Sequence, residues 1–315
     1  MMMLSTPSKP TIIVICGPTA SGKTAAAINL ARAFRGEIIG ADSMQIYRYM
    51  DIGTAKPTID EQTRVPHHMI DIINPDEHFD AKTYAHMARA KIMELFSQGM
   101  NPFVVGGTGF YIKALVHGLF AARPSDPDLR ERLHREADSL GTDFLHQRLS
   151  RVDPKTAQRI HPNDTYRIIR ALETYELTGK RLSEHHHAHG FMDNRFKVLK
   201  LGLLMDREQL YDRINRRVDD MITAGFVTEV QKLLNQGYAP DLKSMQSIGY
   251  RHLVDFIQGR HSWDETRHTL KRDTRRYAKR QLTWFKADPE INWYHPEHLG
   301  DMHRVIKHFL LENSF

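Results

Sequence analysis

The stretch "GPTASGKT" at residues 17–24 follows the apolar run "TIIVIC" at 11–16 and runs into "AAAINLARAF". A glycine-rich turn between a strand and a helix gathers backbone N–H groups into a nest at the helix N-terminus, where anions bind. The full spacing G-x-x-x-x-G-K-S/T is present as Gly17, Gly22, Lys23 and Thr24, with Thr19, Ala20 and Ser21 inside the loop. In this motif the lysine adds a point charge and the Thr24 hydroxyl is placed for Mg²⁺. The chain is therefore expected to hold phosphates at the carboxyl end of a parallel strand.

The surrounding pattern agrees with that fold. "EIIG" (37–40), "MIDII" (69–73) and "PFVVG" (102–106) have strand length and β-branched content, while "KTAAAINLARAF" and "TYAHMARAKIMELFSQG" favour helix. This βαβ alternation predicts a parallel sheet flanked by helices, an α/β core of the P-loop NTPase-like kind, with its first part at residues 1–118. Residues 119–195 turn polar, charged and helical, and are expected to form an inserted all-helical domain. The run "FKVLKLGLL" (196–204) returns the chain to the sheet. Residues 196–315 then add basic helices, with "NWYH" (292–295) a short extended piece.

Composition narrows the function classes. No apolar run approaches the roughly 18 residues of a membrane span, and no secretory leader is read in "MMMLSTPSKP". The lone Cys16 excludes an internal disulfide and fits a reducing compartment, so a cytoplasmic protein is expected, with Cys16 as an inert core residue. A net charge of +6 matters through its distribution. "KRDTRRYAKRQLTWFK" (271–286) carries seven basic residues against one acid. On a helix Arg272, Arg276, Lys279 and Arg280 form a stripe interleaved with Tyr277, Trp284 and Phe285. That pattern suits RNA phosphates with a stacking aromatic, and equally a solvated face whose aromatics pack inward. "EHHHAHG" (184–190) lacks the separated second pair of a zinc site and reads as an exposed loop. His67 and His68 read as a structural or substrate-adjacent turn.

A nucleotide hydrolase commonly carries an acid at the end of a second hydrophobic strand. Here "PFVVGGTGFY" continues into Gly106, Gly107 and Thr108, and the acid lies after another strand, as Asp42 in "IIGADSMQIY". Parallel strands bring both Asp42 and Thr108 toward the phosphate loop. Each also has a local reading, Asp42 as a cap for a turn and Gly-Gly-Thr-Gly as a tight connection. The residues alone leave open a kinase consuming ATP and a nucleotide-switched RNA-binding protein.

"GPTASGKT", "ADSMQIYRYMDIGTAKP", "VPHHMIDI", "GGTGFYIKAL", "RINRRVDDM", "QSIGYRH" and "KRQLTWFK" stand in the order found in bacterial tRNA dimethylallyltransferases, the tRNA isopentenyltransferase family. The chain resembles that family from about residue 12 to about 286. The resemblance implies transfer of a dimethylallyl group from its diphosphate to N6 of adenosine 37, in tRNAs reading codons beginning with U. The products would be N6-isopentenyladenosine and diphosphate. It implies diphosphate contacts at Gly17, Thr19, Ala20, Ser21, Gly22, Lys23 and Thr24, and Mg²⁺ as cofactor through Thr24. Asp42 is implied as the base, Thr108 as the group orienting the amine, and Arg217, four residues after Arg213, as a further diphosphate contact. Implied tRNA contacts are Asp42, Ser43, Met44, Gln45 and Thr108; Tyr166, Arg167 and Arg170 in the insertion; Ser247, Ile248, Gly249, Tyr250, Arg251 and His252; and Lys279, Arg280, Gln281, Trp284 and Lys286. The partners would be a tRNA anticodon stem-loop and dimethylallyl diphosphate, with no membrane and a monomeric enzyme.

Overall fold

The computed structural model describes residues 9–118, 126–184 and 195–313. "TIIVIC" forms β1 (Thr11–Cys16), buried along its whole length. It lies between β4 (Asn101–Gly106) and β5 (Lys197–Leu203), and all its pairings are parallel. Strands covered on both faces read as continuous apolar runs, which is why these segments do not alternate. With β2 (Gly36–Gly40), β3 (His67–His68) and β6 (Ile291–Tyr294), they make a six-stranded parallel sheet of order β3-β2-β4-β1-β5-β6.

One strand expectation fails. "MIDII" is not a strand: β3 is the two residues before it, and only Ile73 makes a bridge, to Tyr47. Met69 and Asp71 sit at φ 63° and 54°, left-handed angles that break an extended backbone.

Two compact units divide the chain, Met1–Val116 with Asn194–Phe315, and His117–Asp193. In the first, helices α1 (Lys23–Ala33), α2 (Ile59–Arg64), α3 (Ala81–Ser97) and α4 (Gly109–His117) connect or follow the first four strands. The second unit holds α5 (Pro127–Leu140), α6 (Thr142–Val152), α7 (Pro154–Ala157) and α8 (Thr165–Thr178), around a core that includes Leu133, Leu145, Leu149, Ile168 and Leu172. Asp126, Asp153 and Asp164 cap α5, α7 and α8. Back in the first unit come α9 (Arg207–Thr223), α10 (Phe226–Asn235), α11 (Tyr250–Ile257), α12 (Trp263–Lys286) and α13 (Leu299–Glu312). Ala27, Ile28 and Ala31 of α1 share a core with Phe103, Leu201 and, from α13, Met302 and Ile306.

From β1 the chain crosses to β2 on one side, while β5 and β6 lie on the other. Such a reversal opens a crevice at the carboxyl ends of the strands. The loops after β1, β2 and β4 all end there.

Candidate active site

The phosphate loop is built as its spacing requires. Gly22 takes φ 89° as the residue before α1, an angle a side chain would strain, and Ala20 takes φ 63°. Lys23 Nζ donates to Pro18 O at 2.6 Å, so the ammonium lies across its own loop. Burial pulls its pKa down to about 8; Arg217 acts in the same direction and Asp42 opposes. Ser21 is fully buried, and its hydroxyl has no hydrogen-bond partner among the described residues.

Lys23, Thr24, Asp42, Ser43, Arg213 and Arg217 line one cavity of about 710 Å³. Asp42 follows β2, and its Oδ1 accepts from the backbone N–H of Met44 at 2.9 Å and of Gln45 at 3.4 Å. One carboxylate oxygen therefore caps the turn, and Oδ2 makes no hydrogen bond among the described residues. The Thr108 hydroxyl accepts from Ser43 N at 3.0 Å and lies 3.4 Å from Ser43 Oγ. Thr108 thus stands against Ser43, while Gly106 and Gly107 line the cavity wall.

Arg213 and Arg217 of α9 reach the same cavity. An Arg213 nitrogen is 3.6 Å from where Gly22 would carry a Cβ. Burial lowers the Arg217 pKa, and the charge of Asp42 opposes that shift. Neither arginine makes an ion pair among the described residues, nor does Lys23. Three cations without acid partners beside a glycine loop form an arrangement that can hold an anion.

Helix α12 supplies part of the crevice wall. Tyr277 and Gln281 line the cavity. Gln281 is buried, with its amide bonded to Thr19 N and Gly107 O. Trp284 is exposed and lies edge-on to Phe110, with ring centroids 6.4 Å apart. Lys279 and Lys286 border a second cavity of about 560 Å³ with Tyr211, Trp293 and Tyr294. Arg280 is exposed and its guanidinium lies 5.8 Å from the Tyr277 ring centre. On the same helix Asp273 gathers Arg251 (2.9 Å), Arg272 (3.0 Å) and His252 (3.2 Å), with Arg276 at 3.6 Å. Burial pushes the Asp273 carboxyl up, yet Arg272 and His252 outweigh it and hold the pKa at about 2.

The "IPP transferase" family model matches residues 45–288. The chain belongs to the IPP transferase family. A tRNA dimethylallyltransferase of Desulfosudis oleivorans is 56% identical over 305 residues, covering 96% of this chain and 97% of that one. The solved full-length tRNA isopentenylpyrophosphate transferase of Bacillus halodurans matches with a TM-score of 0.74 at 42% identity, over 97% of this chain and 98% of that one. A eukaryotic dimethylallyltransferase solved acting on tRNA matches with a TM-score of 0.78 at 29% identity, over 91% of this chain and 74% of that one.

Within this IPP transferase fold, the remaining sequence-derived positions are distributed unevenly. Met44, Gln45, Ser247, Ile248, Gly249 and Tyr250 line the main cavity with Asp42. Gln45 Nε2 donates to Thr54 O and Ala55 O at 3.2 and 3.1 Å. In the helical unit, described by itself, Tyr166 is exposed and Arg167 pairs with Asp164 at 3.2 Å. Arg170 is tied to the buried Glu173 at 2.6 Å. His68 pairs with Glu37 at 2.6 Å, and His67 Nδ1 lies 2.7 Å from Val65 O. Residues 185–190 of the His-rich segment lie outside the described residues. Cys16 is buried, which pushes its thiol up to about 12.

Motif reading missed Glu229 of α10. Its carboxylate accepts from the backbone N–H of Asp51, Ile52 and Gly53 at 2.9, 2.7 and 3.1 Å, and from Tyr250 Oη at 2.6 Å. A single glutamate on an amphipathic helix carries no local signal of such a role.

Proposed function

We propose that this chain transfers a dimethylallyl group from its diphosphate to N6 of adenosine 37 in a tRNA anticodon loop, in tRNAs reading codons that begin with U. The observation that carries this reading is the ring of Lys23, Arg213 and Arg217, without acid partners among the described residues, facing Asp42 across one cavity. Breaking an allylic C–O bond builds negative charge on the departing diphosphate. Fixed N–H groups and cations stabilise that charge more than they stabilise the intact substrate.

The acceptor amine is weak because its lone pair is shared with the purine. Asp42 has one oxygen spent on the turn and a second available to accept the amine proton as the C–N bond forms. Thr108 acts through Ser43, holding the wall against which the amine is oriented. The adenine reaches this cavity only when flipped out of the loop stack. Exposed Arg276, Arg280 and Trp284 on α12, and exposed Tyr166 and Arg167 on α8, supply the RNA-facing groups.

Thr24 and Asp42 put hard oxygen donors on the cavity wall, and no group of three or more His, Cys, Asp or Glu among the described residues would hold an ion alone. That set fits Mg²⁺, which keeps waters and takes much of its shell from substrate phosphates. Thr24 would hold it, and its charge would offset that of the leaving group.

The test is to incubate the chain with undermodified tRNA and dimethylallyl diphosphate, and to digest the RNA for nucleoside mass spectrometry. N6-isopentenyladenosine is the expected product. Unmodified adenosine together with ATP consumption would replace this reading with a kinase.

A further inference from the structure

Helix α12 presents two different faces. Arg276 and Arg280 are exposed, whereas Ala278, Gln281 and Phe285 are buried. The buried face presses directly on the loops after β1 and β4. Ala278 packs with Ala20 of the phosphate loop. A Cβ at Gly107 would stand 2.3 Å from Gln281 Nε2, and beside it one at Gly109, where α4 begins, would stand 2.2 Å from Cδ1 of the exposed Trp284. The two glycines are needed for the helix to come this close.

At the centre of that contact Gln281 accepts from Thr19 N through Oε1 at 2.8 Å and donates to Gly107 O through Nε2 at 2.9 Å. Its amide can take only this orientation, since one end meets a donor and the other an acceptor. One side chain thus fixes the spacing between the phosphate loop and the loop that leads into Thr108. It also fixes the Thr19 peptide, and with it the direction in which the neighbouring N–H groups of the loop point.

We propose that Gln281 is a positioning residue coupling the RNA-bearing helix to the diphosphate cradle, rather than a contact to RNA. The proposal rests on the transferase reading above. Reaction between a diphosphate-bound carbon and an amine held by neighbouring loops depends steeply on their separation, with about 10²-fold in rate at stake for a 1 Å error.

Gln281→Met keeps the length and removes the hydrogen bonds to Thr19 and Gly107 without adding charge. Gly107→Ala attacks the same contact from the other side. Three readouts are taken on the full-length chain: calorimetric titration with inorganic diphosphate and Mg²⁺, filter binding of an unmodified tRNA transcript, and the single-turnover transfer rate with enzyme in excess. Both variants should bind diphosphate about 5-fold more weakly, the scale of one hydrogen bond. Transfer should slow by about 10- to 100-fold, with tRNA affinity within about 2-fold of the parent. Weakened tRNA binding with unchanged diphosphate binding would make Gln281 a direct RNA contact and overturn the proposal. Unchanged affinities and rate in folded variants would reduce it to packing. If the parent transfers no dimethylallyl group, the transferase reading fails, while the diphosphate titration still decides whether Gln281 shapes the cradle. Should Gln281→Met not fold, Gly107→Ala is judged on the same three readouts.

Discussion

Lys23 sits where its charge is most useful to an anion and most costly without one. Its pKa of about 8 lies below the ordinary 10.5 because of burial and Arg217. The folded chain loses this proton first, so between about pH 8 and 10.5 the unfolded chain binds more protons and this group adds stability as pH rises. Bound diphosphate acts the other way, favouring the ammonium. Above pH 8 binding must therefore take up a proton, and affinity should fall with rising pH by at most about tenfold per unit. Calorimetry at pH 9 in two buffers of different ionisation enthalpy measures the uptake; Lys23→Met should abolish it. Asp42 allows a cleaner substitution. Asn keeps the Oδ1 that caps Met44, so Asp42→Asn should retain diphosphate and tRNA binding while losing roughly 10²-fold or more in turnover. Near-normal single-turnover rates in that variant would remove Asp42 from the base role.

At the scale of the element, α12 carries the exposed basic groups proposed to meet RNA. Ser262 caps its start, with Asp264 and Glu265 in the first turn and Lys286 in the last, a distribution that suits the helix dipole. Arg272 and Arg276 are drawn toward Asp273, which orders them at the cost of part of their charge. Replacing Arg276 and Arg280 together with alanine should weaken tRNA binding and flatten its salt dependence. Each lost phosphate contact should lower the log–log slope by about 0.7 on a single strand and about 0.9 on duplex. Dimethylallyl diphosphate affinity should barely move. Titrations at several salt concentrations decide the matter, and parallel slopes with equal affinities would mean that the RNA lies elsewhere.

Across the whole molecule, Glu229 ties α10 to the 51–53 loop and, through Tyr250, to α11. That loop continues into Thr54 and Ala55, whose carbonyls hold the Gln45 amide at the cavity. Glu229→Ala would strand three N–H donors and a phenol, and should lower unfolding stability by about 3 kcal/mol, the cost of losing hydrogen bonds to a charged group. Denaturant titration measures this directly. Glu229→Gln should recover part of that stability through its remaining acceptor oxygen. Equal midpoints for parent and both variants would show that the loop is held by its own turns.

The βαβ alternation apart from its third strand, the phosphate loop and the approach of Asp42 to it could be read from residues alone. Each is written in local signals: a run of β-branched residues, a glycine spacing, an acid just past a strand in a parallel sheet. "MIDII" misled because apolar content suggests extension, whereas Lys56, bonded to Tyr47 O, Asp51 and Asp71, helps hold a loop with left-handed residues. Gln281, implied as a tRNA contact by the resemblance, is buried in the structure. Its partners are Gly107 and Thr19, 174 and 262 residues away along the chain. A sequence records what each backbone segment prefers and which face is apolar. Which polar side chain ends buried between two distant loops is decided only when the sheet brings those loops together, because an unpaired amide there would cost more than the contact gains.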